Sequence, residues 1–396
     1  MQQTVATIEG LTVPFDFQPR TRVVFGLHAS ARIGELLREL GVRKTLLVTD
    51  AGLVAAGHAG EILRSLEAEG VSAVLFDRVR ENPTTKDVEA CLSLAQSTGI
   101  EAIIGLGGGS SMDTAKGCNF LLTNGGQMKD YWGVGKATKP MLPLIAIPTT
   151  AGTGSECQSA ALIADEGTHQ KMACLDPKAA ARVAILDPAL TLSLPPRVTA
   201  CTGIDAIAHA VETAVTKKRN PLSVMFSREA FKLLVPNFAR VLENPNDVEA
   251  RGRMLLGAAL AGTAIENSML GAAHSAANPL TAHYGIVHGQ AVGLMLPHVV
   301  RCNAAEEGAK RGYAELAAAP EIACVSEGLD QAVDALIAEI QTLLEVAKMP
   351  ATLGDCGVPQ KDLPRLAAEA ARQWTASFNP RALTERDFLA LFEAAY

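Results

Sequence analysis

The sequence predicts an α/β domain with a Rossmann-like parallel sheet over residues 1–195, joined to an all-helical domain over residues 196–396. Three observations predict it. The 396 residues exceed the roughly 250–300 at which a single hydrophobic core stops growing, so two domains are expected. The first half alternates short β-branched runs with helix-periodic segments. After Pro195 and Pro196 no strand pattern remains and helical periodicity dominates.

The strand candidates, in order, are TLLVTD (45–50), AVLFD (73–77), AIIGLGGG (102–109) and PLIAIPTT (143–150). Each is apolar and closes on Gly, Asp, Pro or Thr. Between them, IGELLREL (33–40), EILRSLEAEG (61–70) and DVEACLSLAQSTG (87–99) carry apolar residues at helical spacing. Strand, helix, strand in this rhythm implies a parallel sheet covered on both faces, with ligands bound beyond the carboxyl ends of its strands. In the second half, Val333, Leu336, Ile337, Ile340, Leu343 and Leu344 form one apolar helical stripe. The run LLGAALAGTAI (255–265) ends at Glu266, too short for a membrane span, and reads as a buried helix.

Composition narrows the class of partner. A 48% hydrophobic and 19% charged chain has ample material for a core. Its net charge of −7 argues against a nucleic-acid or anionic-membrane surface, both of which call for basic patches. The N-terminus, MQQTVATIEGLTVPFDFQPR, lacks a basic stretch followed by an apolar one, so a cytoplasmic protein is expected. Eight scattered cysteines without a CxxC pair fit reduced thiols.

Four segments carry chemistry. EAIIGLGGGSSMDTAK (101–116) is a strand running through Gly107, Gly108 and Gly109 into a helix that starts near Ser110, where backbone N–H groups can approach a pyrophosphate. Its pattern is GxGxxS, and by itself it reads equally as a structural glycine turn. IPTTAGTGSE (147–156) offers Thr149, Thr150, Thr153 and Ser155 to the same cleft, or forms a plain Ser/Thr turn. Asp50, at a strand end, is placed to accept from a ribose 2′-hydroxyl and would repel a 2′-phosphate, which favours NAD over NADP. In TGIDAIAHAVETAV (202–215), Asp205 and His209 share one helix face. His274, His283, His288 and His298 put four of the eight histidines into one short stretch. One carboxylate and three imidazoles suit Fe²⁺, Zn²⁺ or another divalent first-row ion such as Mn²⁺. A single histidine taken alone is more often packed or at the surface.

These segments resemble the iron-containing (group III) alcohol dehydrogenase family. The resemblance runs from about Phe25 to about Asn303 through VTDAGL (48–53), NPT (82–84), GGGSSMDTAK (107–116), IPTTAGTGSE (147–156), KMACLDPKAAARVAILDPALTLSLP (171–195), TGIDAIAHAVE (202–212) and HSAANPLTAHYGIVHG (274–289). It implies a metal- and NAD-dependent dehydrogenase of small primary alcohols, aldehydes or diols, working as a homodimer or larger assembly. The implied metal ligands are Asp205, His209, His274 and His288. The implied cofactor contacts are Gly107, Gly108, Gly109 and Ser110, with Asn82, Asp113, Thr149, Thr150, Thr153 and Lys171 in family-typical motifs. Asp187 also falls in such a motif, without an assigned role.

The chain departs from the family pattern in two places. Where the family reads HxxxH from the position of His274, this chain has Asn278, which bonds hydrogen but does not titrate near neutrality. His283 stands where glycine is common and is expected to return an imidazole to the cleft, so Asn278 and His283 are the catalytic candidates. Gln158 replaces a common threonine. The alternative within the superfamily is a metal-independent reductase of a keto acid of the maleylacetate type. A dehydroquinate-synthase-like lyase and a catalytically silent nucleotide-binding protein are the remaining rivals.

Overall fold

The computed structural model describes residues 14–168 and 170–396. The first thirteen residues, on which the expectation of no leader partly rests, lie outside that range. The α/β part comprises β1 (Arg22–Phe25), α1 (Ile33–Glu39), β2 (Lys44–Val48), α2 (Ala51–Ala55), α3 (His58–Ala68), β3 (Ser72–Phe76), α4 (Thr85–Gln96), β4 (Ala102–Gly107), α5 (Gly109–Asn124), β5 (Gly133–Val134), β6 (Leu144–Pro148), β7 (Ala160–Ala164), β8 (Lys171–Leu175) and β9 (Val183–Leu186). Six strands form one parallel sheet in the order β1-β9-β6-β4-β2-β3. It is apolar on both faces, as a parallel sheet must be when helices cover it. Leu47, Ile104, Ile145 and Ile185 fill one side, and Leu46, Val48, Ile103 and Ala146 fill the other.

From Pro196 the described chain is helical: α6 (Pro196–Thr213), α7 (Pro221–Glu243), α8 (Val248–Glu266), α9 (Ala272–Tyr284), α10 (His288–Asn303), α11 (Glu307–Ala318), α12 (Leu329–Val346), α13 (Leu363–Ala371) and α14 (Glu385–Ala394). Their shared core includes Ile204, Phe231, Phe238, Leu280, Met295, Leu336, Ile340 and Phe388. Among the described residues no helix is long and apolar enough to cross a membrane. The stripe from Val333 to Leu343 lies on α12 and is buried.

The sheet is larger than the four strands expected. β1 and β9 extend it, and β5, β8 and β7 make a separate three-stranded sheet. The expected strands also stop earlier, at Val48, Gly107 and Pro148. The reason is local. Asp50 caps α2 by accepting from Leu53 N at 3.0 Å, and Gly107 turns to φ +141°. The polar residues that follow each strand are thereby released into loops at the carboxyl edge.

Two contacts fix the helical half against that edge. Cys157, Ala184, Leu186, Leu255 and Ala259 form an apolar seam between β9 and α8. Beside it, the backbones of Gly154 and Gly262 touch, an approach that a Cβ on either residue would block.

Candidate functional site

Two loops meet above the adjacent strands β4 and β6. Thr149 N donates to Gly107 O at 3.0 Å. A Cβ on Gly108 would lie 3.3 Å from Thr150, and one on Gly109 would lie 2.8 Å from Thr153. The missing side chains therefore let the threonine loop close on the glycine loop. Ser110 Oγ accepts from Asn82 N at 3.2 Å, bringing in a third loop whose Asn82 has φ 53°. Asp50 stands at the end of neighbouring β2, and its partner Leu53 packs toward Gly107. Helix α5 begins here with Gly108 as N-cap and no capping side chain, so its first N–H groups face the loops without a side-chain acceptor. Such a helix start is suited to a pyrophosphate.

Asp113 does not join that surface. One turn into α5 it is buried, accepts from Ser155 Oγ at 3.3 Å, and approaches Lys116 and the backbone of Leu162. Burial pushes its carboxyl up to about 6 despite the nearby lysines. The expectation of a cofactor contact is therefore corrected to a place in an internal network. Lys116, which the sequence did not single out, is the centre of that network. Its Nζ donates to Ser155 O, Ser155 Oγ and Ala160 O at 2.7, 2.9 and 2.9 Å. Lys171 is exposed at the start of β8, and its charge acts on both Asp113 and His288.

The threonine loop leads directly to the second cluster. A Cβ on Gly152 would collide with Thr202 of α6, and the backbone of Gly152 lies beside the His209 ring. On α6, Asp205 and His209 are one turn apart; His274 comes from the first turn of α9 and His288 opens α10. The Nε2 atoms of His209, His274 and His288 lie 3.5, 3.4 and 3.8 Å from Asp205 Oδ1. The rings of His209 and His274 stack at 4.8 Å, and His274 meets His288 at 5.3 Å. Asp205, His209 and His274 are sealed, whereas the His288 side chain is 31% exposed. Among these four residues, His288 is the one that solvent reaches.

Its chemistry fits a cation. Asp205 Oδ1 and His274 Nε2 are buried without a hydrogen-bond partner, as is His209 Nδ1. Two ligand atoms held at about 2.1 Å on one ion lie roughly 3.4 Å apart, close to the distances from Asp205 Oδ1 to His209 and His274; the ligand atoms of these three residues lie within 4.8 Å of one another, and His288 stands at the edge of that group. Burial disfavours a charge on Asp205, but the three imidazoles outweigh it and hold the carboxyl well below the usual carboxylate range. Burial brings His209 down to about 4, and partial burial beside the other imidazoles lowers His288 as well. Burial would lower His274 too, yet Glu212 and Asp205 raise it to about 9.

The remaining sequence candidates sit on α9. Asn278 stands one turn beyond His274 on the same side, half-buried, and its Nδ2 donates to Gln373 Oε1 at 3.0 Å. His283 lies elsewhere. Nine residues from His274, it is on the opposite side of the helix and about 13 Å along it. Its Nε2 pairs with Glu369 at 2.7 Å near the surface. The expectation that it returns an imidazole to the cleft is therefore corrected. Gln158 turns back on its own loop, donating to Thr153 O at 2.7 Å.

The pattern of the family described as iron-containing alcohol dehydrogenase matches residues 19–188, and that of the C-terminal domain of the Fe-containing alcohol dehydrogenase family matches residues 199–396. The chain belongs to the iron-containing alcohol dehydrogenase family. It is similar to "Alcohol dehydrogenase 4" of Schizosaccharomyces pombe, with 35% identity over 94% of this chain and 87% of that protein. The crystal structure of a 1,3-propanediol oxidoreductase superposes with a TM-score of 0.93 at 32% identity, covering 97% of this chain and 100% of that one. A sulfoacetaldehyde reductase from Bifidobacterium kashiwanohense in complex with NAD⁺ superposes with a TM-score of 0.86 at 27% identity, covering 97% and 99%.

As a member of the iron-containing alcohol dehydrogenase family, the protein is an oxidoreductase acting on CH–OH groups. Within this family member the sequence reasoning missed Glu212. Its spacing was visible, since Asp205, His209 and Glu212 fall at i, i+4 and i+7 on one helix face. What it touches was not, because its partners come from α9.

Proposed function

We propose that this protein is an NAD-dependent alcohol dehydrogenase whose metal is held by Asp205, His209, His274 and His288. The observation that carries the reading is the pair of unpartnered buried ligand atoms, Asp205 Oδ1 and His274 Nε2, 3.4 Å apart and one loop away from the uncapped start of α5. When bound, the metal supplies Lewis acidity at the substrate oxygen and the nicotinamide supplies a hydride acceptor.

The chain's own residues do the rest. Gly107, Gly108 and Gly109 give the cofactor pyrophosphate access to the N–H groups of α5, with Ser110, Asn82, Thr149, Thr150 and Thr153 around it. Asp50 accepts from the ribose, which supports NAD over NADP. Lys171 offers a positive charge between the cofactor loops and His288. The opening beside His288 admits the substrate. Asn278 supplies a donor and an acceptor that orient a small alcohol, aldehyde or diol without exchanging a proton with it. A family member of known complex, the sulfoacetaldehyde reductase with NAD⁺, supports the cofactor.

The protein is also proposed to act as a homodimer. The edge strand β1 and its exit leave Val23, Phe25 and Leu27 46%, 48% and 55% exposed, a poor surface for an isolated sheet edge. Free thiols at all eight cysteines support a cytoplasmic setting.

The test is absorbance at 340 nm with NAD and a panel of small primary alcohols and diols, on protein stripped of metal and then given Fe²⁺, Zn²⁺ or Mn²⁺. Turnover that depends on the returned metal is expected. Equal turnover by stripped protein would overturn the metal assignment, and light scattering at a monomer mass would overturn the dimer.

A further inference from the structure

Glu212 is buried to 3% exposure and belongs to neither the cofactor loops nor the four proposed ligands. It extends from α6 on the side that carries Asp205 and His209, and its two oxygens serve two different donors of α9. Oε1 accepts from Ala273 N at 2.7 Å, and Oε2 meets His274 Nδ1 at 2.5 Å. Ala273 is the second residue of α9, so the first contact satisfies a helix-start donor that has no partner within the helix. His274 is the third, so the second contact holds the imidazole itself.

The surroundings make this mount rigid. Ala272 N donates to Asn379 Oδ1 at 3.2 Å, and Asn379 is bonded in turn to Asn303. A Cβ on Gly271 would lie 2.9 Å from Asn379 Oδ1 and 3.1 Å from Glu212 Oε1, so the chain threads into α9 between two acceptors. The His209 ring stacks on His274 from the other side at 4.8 Å.

We propose that Glu212 is a positioning residue for the metal site: one carboxylate caps α9 and, through Nδ1, fixes the rotation and tautomer of His274. This rests on the metal reading above. Two donors converge on one side chain, and only a carboxylate offers an acceptor to each; an amide offers one acceptor and one donor. With its proton held at Nδ1 by Glu212, His274 presents Nε2 to the ion beside Asp205 Oδ1. A carboxylate behind a ligating imidazole also raises the basicity of the ligand.

Glu212→Gln separates these duties. Its amide group must confront either Ala273 N or His274 Nδ1. Facing His274, it donates to Nδ1 and moves the imidazole proton to Nε2, which then bonds Asp205 and no longer serves as a ligand. Facing Ala273, it leaves the helix start unpaired and shifts it. Both arrangements weaken metal binding.

The test is Co²⁺ titration of metal-free protein, followed by its visible d–d absorption, for the parent, E212Q, H274A and the double variant, alongside thermal melting without metal. E212Q is expected to weaken Co²⁺ binding roughly 10- to 100-fold and to change the absorption bands, with the metal-free melting temperature within about 3 °C of the parent. In the H274A background, E212Q should cause no further loss. Parent-like Co²⁺ affinity and bands in E212Q would overturn the assignment, as would equal losses in both backgrounds or a variant that does not fold. A parent protein that takes up no Co²⁺ overturns the metal reading itself.

Discussion

Asp187 accepts four hydrogen bonds with two oxygens: from His28 N, Ser30 N, Ser30 Oγ and Ala189 N, at 2.9, 3.1, 2.5 and 3.1 Å. It is buried and ties the loop after β1 to the end of β9. Its motif was visible in the sequence, but its job was not, because His28 and Ser30, the source of three of its four bonds, lie more than 150 residues away. Replacing it with alanine leaves several donors without acceptors, so Asp187→Ala should cost about 3 kcal/mol in urea unfolding, with the metal content of folded protein unchanged. Glu156 makes a different prediction. Burial brings its carboxyl up to about 7, opposed by its own backbone N–H and by Lys116, and its Oε1 has no partner. Because the folded state keeps this proton where the unfolded state has lost it, the contribution is full below about pH 4.5 and is lost as pH rises through 7. Glu156→Gln stays neutral. Its unfolding free energy should match the parent near pH 4 and exceed it by about 3 kcal/mol at pH 8, as read by urea melts at the two pH values.

At the scale of elements, the site depends on helices that touch backbone to backbone. Gly289, the second residue of α10, has no room for a side chain: a Cβ would fall on the Cys201 carbonyl oxygen and lie 3.3 Å from Asp205 Cβ. Gly289→Ala should push the start of α10 away from α6 and carry His288 with it. The expected result is a stability loss of about 1–3 kcal/mol and less than one metal per chain by elemental analysis. Element by element, the sequence was uneven. The strands β2, β4 and β6, which lead to the site, and β3 beside them were legible because each is a short apolar run that ends in a polar turn. The others were not: β1 is a four-residue edge strand with only Val24 buried, β5 is two residues long, β7 is mostly alanine, and β8 and β9 are five and four residues long with no intervening α-helix to set them off. The four histidine and aspartate ligand candidates converge from α6, α9 and α10. His283, nine residues beyond His274 on the same helix, does not, because helical period rather than sequence proximity decides which side a residue takes.

At the scale of the whole molecule, an ion bound by α6, α9 and α10 joins three helices, so its removal should loosen the entire helical half. At a free metal concentration of 100 times the dissociation constant, binding stabilises the fold by about 2.7 kcal/mol. Chelation should therefore lower the melting temperature by several degrees in a thermal scan, and returning Fe²⁺ or Zn²⁺ should restore it. The unequal exposure of the four residues adds a statement about kinetics. Asp205, His209 and His274 are enclosed, and His288 is the one that solvent reaches. With the proposed four ligands, exchange is expected to begin at His288, the most exposed of them. The lifetime of the metal-loaded protein should then depend on that one side chain, and a slim chelator should strip the ion faster than a bulky one of equal affinity.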